Sequence, residues 1–265
     1  MKASDARVML TGATGGIGRA IAARLVRSGA SVMLVGRSAA RLASQTRELA
    51  ATVGRDSADE SRLAWRVVDI THPHAAREMA EDAAGWGCNV FVHGAGIPAF
   101  GAFIGMDVDD IPQVVQTNLV APMQLTHALL PHLCRQPRAQ VVYIGSALGC
   151  MGVPGFALYG ATKFGLRGFA EALRRELADT SVLIQYLGPR TTLTAFNDAR
   201  VETYMAATGG ALDAPERVAG ALLKLLESER AERYVGFPEV LAVRVNALAS
   251  SLLDGAFRKH RRHLP

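Results

Sequence analysis

Short runs of consecutive apolar residues recur along the chain, and between them the apolar positions fall three and four apart. Continuous apolar runs predict strands buried on both faces, and the 3.6-residue spacing predicts helices laid across them. Arg7 to Leu10 and Ser31 to Val35 predict two strands, with a helix from Ile17 to Arg27 that stops at Ser28-Gly29 between them. The alternation continues through a helix over Ala39 to Val53, a strand over Leu63 to Val68, a helix near His74 to Ala84 and a strand over Asn89 to His93. A long helix from about Asp109 to Leu133, a strand over Gln140 to Gly145, a second long helix from about Phe156 to Leu177 and a strand over Ser181 to Tyr186 follow. Pro215 to Leu226 predicts a helix, Arg233 to Val235 a short edge strand, and Val240 to His260 an amphipathic terminal helix. Residues 190–212 show no clean period and end at Gly209-Gly210, which predicts a covering lid. Strands alternating with helices over short connections predict an α/β, doubly wound parallel sheet with helices on both faces.

The 265 residues are 49% hydrophobic and 20% charged, enough for one large core and unlike disordered, collagenous or disulfide-scaffold chains. A single domain over 1–265 is expected, with the lid near 190–212 and the amphipathic helix near 240–262. The formal net charge of +5 comes from 29 Lys+Arg against 24 Asp+Glu, but Arg258, Lys259, His260, Arg261, Arg262 and His263 crowd the last eight positions. The remainder is close to balanced and holds no basic helix interleaved with aromatics, so nucleic acid is not an expected partner. Cys88, Cys134 and Cys150 form no close pair, which points to reduced thiols and to no metal site. Met1 to Val8 has no apolar run of secretory length, and no stretch approaches roughly 18 uncharged apolar residues, so a cytoplasmic location without a spanning segment is expected.

Thr11-Gly12-Ala13-Thr14-Gly15-Gly16-Ile17-Gly18 directly follows a predicted strand and opens a predicted helix. Glycine lets backbone approach a ligand, and a helix N-terminus aims N–H groups and a positive dipole end at an anion, so this turn suits a pyrophosphate. A tight packing turn is the plain alternative. Arg37, with Ser38 beside it, follows strand two, where the ribose of a bound dinucleotide would lie. A guanidinium next to a hydroxyl suits a 2′-phosphate, and Gly36 places no carboxylate there to repel one. NADP(H) is therefore favoured over NAD(H), unless Arg37 is a solvated charge at a helix start. Asp69, at the end of strand three, either accepts from an adenine amino group or caps the following turn.

Tyr159 and Lys163 stand four apart on the second long helix, hence on one face. An ammonium beside a phenol stabilises the phenolate and draws its pKa toward working pH. Ser146 ends strand five at the sheet edge where open α/β folds bind ligands, so its hydroxyl can hold a reacting oxygen. With these residues in place the chain resembles the short-chain dehydrogenase/reductase family, in its compact single-domain branch, over most of residues 6–240. The family motif T-G-x-x-x-G-x-G corresponds to Thr11 through Gly18, Y-x-x-x-K to Tyr159 and Lys163, and the serine thirteen positions before the tyrosine to Ser146. Asn118 stands where the family places an asparagine that kinks a helix and supports a water leading to the lysine.

The resemblance implies a Rossmann-like sheet of about seven strands in the order 3-2-1-4-5-6-7. It also implies hydride transfer between a nicotinamide and a carbon bearing oxygen. Tyr159 would give its proton to the carbonyl oxygen, Ser146 would hydrogen-bond that oxygen, Lys163 would hold the nicotinamide ribose and Asn118 would complete the proton path. The implied cofactor wall comprises Gly12, Thr14, Gly15, Gly16, Ile17, Gly18, Arg37, Ser38, Asp69, Ile70, Gly94, Ala95, Gly96, Tyr159, Lys163, Pro189, Thr192 and Thr194. A homodimer or homotetramer through the two long helices is implied as well.

Two departures stand out. His93-Gly94-Ala95-Gly96 replaces the usual N-N-A-G after strand four, and Pro189-Arg190 replaces the usual P-G after strand six. His93 reads as a satisfied buried histidine rather than a catalyst. The presumed substrate side, with Leu148, Met151, Phe156, Phe196 and Tyr204, is apolar and suits a lipid-like, steroid-like or acyl carbonyl compound, unless these residues are plain core. The terminal segment either touches an anionic membrane surface or packs on its own domain with a solvated basic tail. A catalytically silent NADP(H)-binding regulatory or scaffold protein is the alternative to an enzyme.

Overall fold

The computed structural model describes residues 1–53, 62–236, 246 and 248–264. Its elements run β1 (Arg7–Thr11), α1 (Gly16–Arg27), β2 (Ser31–Gly36), α2 (Ala39–Val53), β3 (Leu63–Val67), α3 (Ala75–Trp86), β4 (Val90–His93), α4 (Asp110–Val115) and α5 (Ala121–Leu133). They continue with β5 (Ala139–Ile144), α6 (Ala157–Glu176), β6 (Val182–Gly188), α7 (Ala199–Thr208), α8 (Pro215–Ser228), β7 (Glu232–Tyr234) and α9 (Asp254–Arg261). The seven strands form one sheet in the order β3-β2-β1-β4-β5-β6-β7, and every pairing is parallel. This is the doubly wound sheet expected from the sequence.

Strand alternation divides the core in two. Val8, Leu10, Val90, Val92, Val142 and Ile144 face one side with Ile21 and Leu25 of α1 and Leu222 of α8. Their neighbours Met9, Phe91, Val141 and Tyr143 face the other side with Leu125 and Leu129 of α5 and Leu166 of α6. Because successive side chains of a strand point to opposite faces, each central strand must be apolar at every position, which is why these runs do not alternate in hydropathy. The strand order reverses between β1 and β4, and the two chains leaving their C-terminal ends diverge to opposite faces, opening a crevice there.

The structure departs from the sequence expectations in three places. The predicted long helix from Asp109 to Leu133 forms, but not with one pitch: between α4 and α5 it widens into a π-type stretch over Gln116–Val120. The predicted lid contains a helix, α7, whose Asp198 cap accepts the Val201 N–H at 3.0 Å and which buries Val201, Tyr204 and Thr208. The spacing of those positions is helical, but Tyr and Thr carry little hydropathy, so the period does not show. Of the predicted terminal helix, residues 240–245 and 247 lie outside the described residues, Ser250–Leu253 is a 3-10 turn, and α9 carries its last part from Asp254.

The tail folds back onto its own domain. Leu264 packs against a small cluster of Phe100, Val201 and Tyr204, as do Val153, Phe156 and Met205. The Tyr204 hydroxyl donates to the Pro154 carbonyl at 2.9 Å and lies 2.9 Å from His260 Nδ1. Among the described residues, no helix is long and apolar enough to cross a membrane.

Candidate active site

Chain geometry at the ends of β1 and β4 builds one wall of a cleft of about 980 Å3 that runs along the C-terminal edge of the sheet. Thr11 ties the two strands together, its hydroxyl accepting the N–H groups of Gly94 at 3.1 Å and Ala95 at 3.3 Å. Gly12 turns the chain with φ +67°, and a Cβ there would stand 2.6 Å from the Gly94 carbonyl oxygen. Gly16 opens α1, and a Cβ on it would meet the Thr194 Cγ2 at 2.4 Å, so the loop after β6 closes directly onto the helix start. The N–H groups in the first turn of a helix have no partner within it and carry its positive end. Gly15, Gly16, Ile17 and Gly18 thus present an anion-binding end to the cleft wall they form.

At the β2–β3 end, Arg37, Asp69 and Ile70 line the cleft. Asp69 Oδ1 accepts both the backbone N–H and the hydroxyl of Thr71, at 2.9 and 2.7 Å. These bonds hold its carboxyl below the usual range, with a smaller contribution from the Arg37 guanidinium. Asp69 therefore does cap the turn that follows it. Ser38 is not part of the cleft wall; its hydroxyl caps α2, accepting the Arg41 N–H at 3.4 Å. Arg41, which sequence reasoning missed, does line the wall.

The opposite end holds the titratable groups. Ser146 follows β5, and its backbone is pinned on both sides by one phenol: its N–H donates to the Tyr186 hydroxyl, which donates to the Ser146 carbonyl, each at 3.0 Å. The Ser146 hydroxyl accepts the Leu148 N–H at 3.1 Å. Tyr159 and Lys163 rise from the first turns of α6, with Nζ 5.5 Å from the centre of the Tyr159 ring and donating to the Ile144 carbonyl at 3.2 Å. Burial pushes the Tyr159 phenol well above its ordinary value, opposed by its hydrogen bond to Ser146. Burial also brings Lys163 down to about 8. Desolvation of both side chains is the leading influence on them in this arrangement.

Asn118 sits within the π-type turn and does not reach the cleft wall. Its side chain makes a two-way clamp on Ile97, accepting its N–H at 2.8 Å and donating to its carbonyl at 2.9 Å. Ile97 lines the cleft, so Asn118 acts on the site through it.

Gly12, Thr14, Gly94, Ala95, Gly96, Pro189, Thr192 and Thr194 all line the cleft, as do Leu148, Phe156 and Phe196. Met151 and Tyr204 do not: Tyr204 is buried behind Phe156 and Phe100, supporting the wall rather than forming it. Sequence reasoning also missed Pro98, Phe100, Gln113 and Gln116, which come from the segment between β4 and α5 and add two apolar and two amide side chains to the wall.

Both sequence departures have structural partners. His93 is buried, stacked on Tyr143 at 4.8 Å, with Nε2 2.9 Å from the Thr126 hydroxyl. Arg190 Nη2 reaches Asp213 Oδ1 at 2.8 Å, and Arg217 Nη1 reaches the same oxygen at 2.8 Å. Thr191 and Leu193 bond to the Asp213 backbone at 3.0 and 2.9 Å. Arg190 therefore anchors the loop after β6 to the start of α8, doing with an ion pair what a glycine turn does by shape.

The family model described as short chain dehydrogenase matches residues 6–205. Among curated proteins, the chain is 32% identical over 229 residues to the ketoacyl reductase HetN of Nostoc sp., covering 85% of this chain and 76% of that one. Among solved structures, a single-substitution variant of actinorhodin polyketide ketoreductase with NADPH superposes with a TM-score of 0.76 at 26% identity, over 89% of this chain and 97% of the other. A short chain dehydrogenase/reductase from Burkholderia phymatum in complex with NAD shares the fold, with a TM-score of 0.82 at 20% identity over 95% and 96% of the two chains.

Proposed function

Because this chain belongs to the short-chain dehydrogenase family, we propose that it is an NADP(H)-dependent oxidoreductase interconverting a ketone or aldehyde with an alcohol on an apolar, acyl-like substrate. The observation that carries this reading is the meeting of Ser146, Tyr159 and Lys163 at one end of a cleft whose middle is a glycine-lined helix start. The wall fits a nicotinamide dinucleotide: at Gly12 and Gly16 a side chain would strike its neighbours, leaving bare backbone beside the helix end.

The dinucleotide supplies the hydride when bound, and the chain handles the proton. Tyr159, kept protonated by burial, is placed to give its proton to the carbonyl oxygen in the reducing direction. Ser146, immobilised through Tyr186, holds that oxygen in place. The Lys163 ammonium donates to Ile144 and retains further N–H groups for ribose hydroxyls. Arg37 at the cleft rim, with no carboxylate at Gly36, supports NADP(H). Leu148, Phe156 and Phe196, together with Ile97, Pro98 and Phe100, support an apolar substrate, and the ketoacyl reductase relative supports an acyl one.

The test incubates the purified protein with NADPH or NADH and a panel of aliphatic, aromatic, steroid and acyl-thioester ketones. Coenzyme oxidation is expected with NADPH and an acyl substrate, and Tyr159→Phe should lower it by about 10²–10⁴-fold. Equal rates with NADH would refute the cofactor preference, and an unimpaired Tyr159→Phe would refute the assigned chemistry.

A further inference from the structure

Phe100, Phe156 and Val201 line the cleft, and all three belong to one small apolar cluster. The ring centres of Phe100 and Phe156 lie 4.8 Å apart, and the Tyr204 ring meets them at 5.1 and 6.0 Å. The terminal segment seals the same cluster. Gly155, in the loop before α6, turns with φ +87°, and a Cβ built on it would stand 2.7 Å from both Phe100 Cε2 and Leu264 Cδ2. The phenyl and the leucine therefore share the notch that this glycine leaves open. The Gly101 N–H donates to the Gly155 carbonyl at 2.9 Å, which ties the loop carrying Phe100 to the loop carrying Phe156 at that point. Two further contacts hold the terminal segment there: His260 Nδ1 lies 2.9 Å from the Tyr204 hydroxyl, and the Phe257 ring packs on the His260 ring at 5.1 Å. Packed interiors leave few voids, so Phe100 has no space to retreat from the cleft while Leu264 fills the notch.

We propose that Leu264 is a specificity-determining residue: by backing Phe100 it sets how long an acyl chain the cleft accepts. The inference rests on the acyl-substrate reading above and assigns the length limit to a residue outside the cleft wall. Leu264 does not line the cleft, so it is a positioning residue that acts through Phe100. A smaller side chain at this position leaves an apolar void, which costs stability in the free protein. A longer acyl chain that presses Phe100 back into the void recovers part of that cost on binding.

The test measures kcat and KM with NADPH over a homologous series of unbranched β-ketoacyl thioesters, from short to long. The wild-type protein is expected to lose kcat/KM beyond the length that meets Phe100. Leu264→Ala should raise kcat/KM for the first rejected chain by about tenfold or more, through KM, while short chains change little. Leu264→Met, which keeps the volume, should retain the wild-type profile. A second readout needs no turnover: the rise in melting temperature given by unreactive saturated acyl thioesters should extend to longer chains in Leu264→Ala than in the wild type. An equal loss at every chain length would mean that Leu264 only stabilises the fold, and would overturn the proposal. An unchanged profile in Leu264→Ala would overturn it as well, since Phe100 would then hold its place unaided. A wild-type protein that oxidises NADPH with no member of the series overturns the acyl reading itself, a failure visible before any variant is made.

Discussion

His93 stands where the resemblance leads one to expect asparagine, and its surroundings determine its chemistry. The Thr126 hydroxyl lies 2.8 Å from the Pro122 carbonyl, which can only accept, so Thr126 donates there. It must then accept from Tyr143, 2.8 Å away, and from His93 Nε2–H, 2.9 Å away. His93 Nε2 thus carries a proton. Burial, helped by the nearby Lys163 charge, lowers its pKa to about 3. An unfolded histidine titrates near 6.5, so between these values the unfolded state binds the extra proton and stability is lost as pH falls. Between pH 7 and pH 5 this amounts to about 2 kcal/mol. Urea melts at the two pH values should show His93→Asn losing less stability than the wild type by that amount; equal losses would dismiss the neutral, buried assignment. At this scale Tyr159, Lys163 and Ser146 were legible because their chemistry depends on local spacing. Arg41 and Tyr186 were not, since each acts through a contact between elements distant in the chain: Thr14 for the first and Ser146 for the second.

The long helix before β5 forms as its apolar spacing predicted, and what that spacing did not record is a change of pitch inside it. The apolar spacing from Asp109 to Leu133 survives an extra residue in one turn, so the π-type bulge at Gln116–Val120 left no mark on the period. Its effect is to deliver Asn118 to Ile97 as a paired donor and acceptor. Asn118→Ala would leave the Ile97 N–H and carbonyl without that partner, at a cost of about 1–3 kcal/mol for each group left unsatisfied. The expected result is a lowered melting temperature and a reduced kcat, because Ile97 lines the cleft; an unchanged kcat would show that Ile97 keeps its place unaided. The lid segment gives the converse lesson. Its helix α7 was hidden because Tyr204 and Thr208 are buried through hydroxyl groups that find acceptors, the Pro154 and Tyr204 carbonyls respectively, rather than through hydropathy.

Across the molecule, the tail and the substrate wall share one small apolar cluster. Phe100 and Phe156 face the cleft, Tyr204 lies behind them, and Leu264 closes the cluster from outside. The terminal segment thus takes the packed alternative of the two that its composition allowed, with Arg258, Arg261 and Arg262 left exposed. Tyr204→Phe removes the hydroxyl that meets both Pro154 and His260 while keeping the ring. Faster tryptic cleavage after Arg258 and Arg261 is expected, followed by mass spectrometry over a limited digestion, with little change in the melting temperature of the body. Identical digestion rates would show that Leu264 packing alone holds the tail.

The order of residues was enough to settle the alternation of strand and helix, the glycine turn and the spacing of the phenol and ammonium, because each is written in neighbouring positions and enforced by local geometry. Long-range packing alone settled how strongly those groups are desolvated, that Arg41 reaches the glycine turn and where the tail rests. Burial and electrostatic environment are set by which distant segments come together, and no local pattern records that.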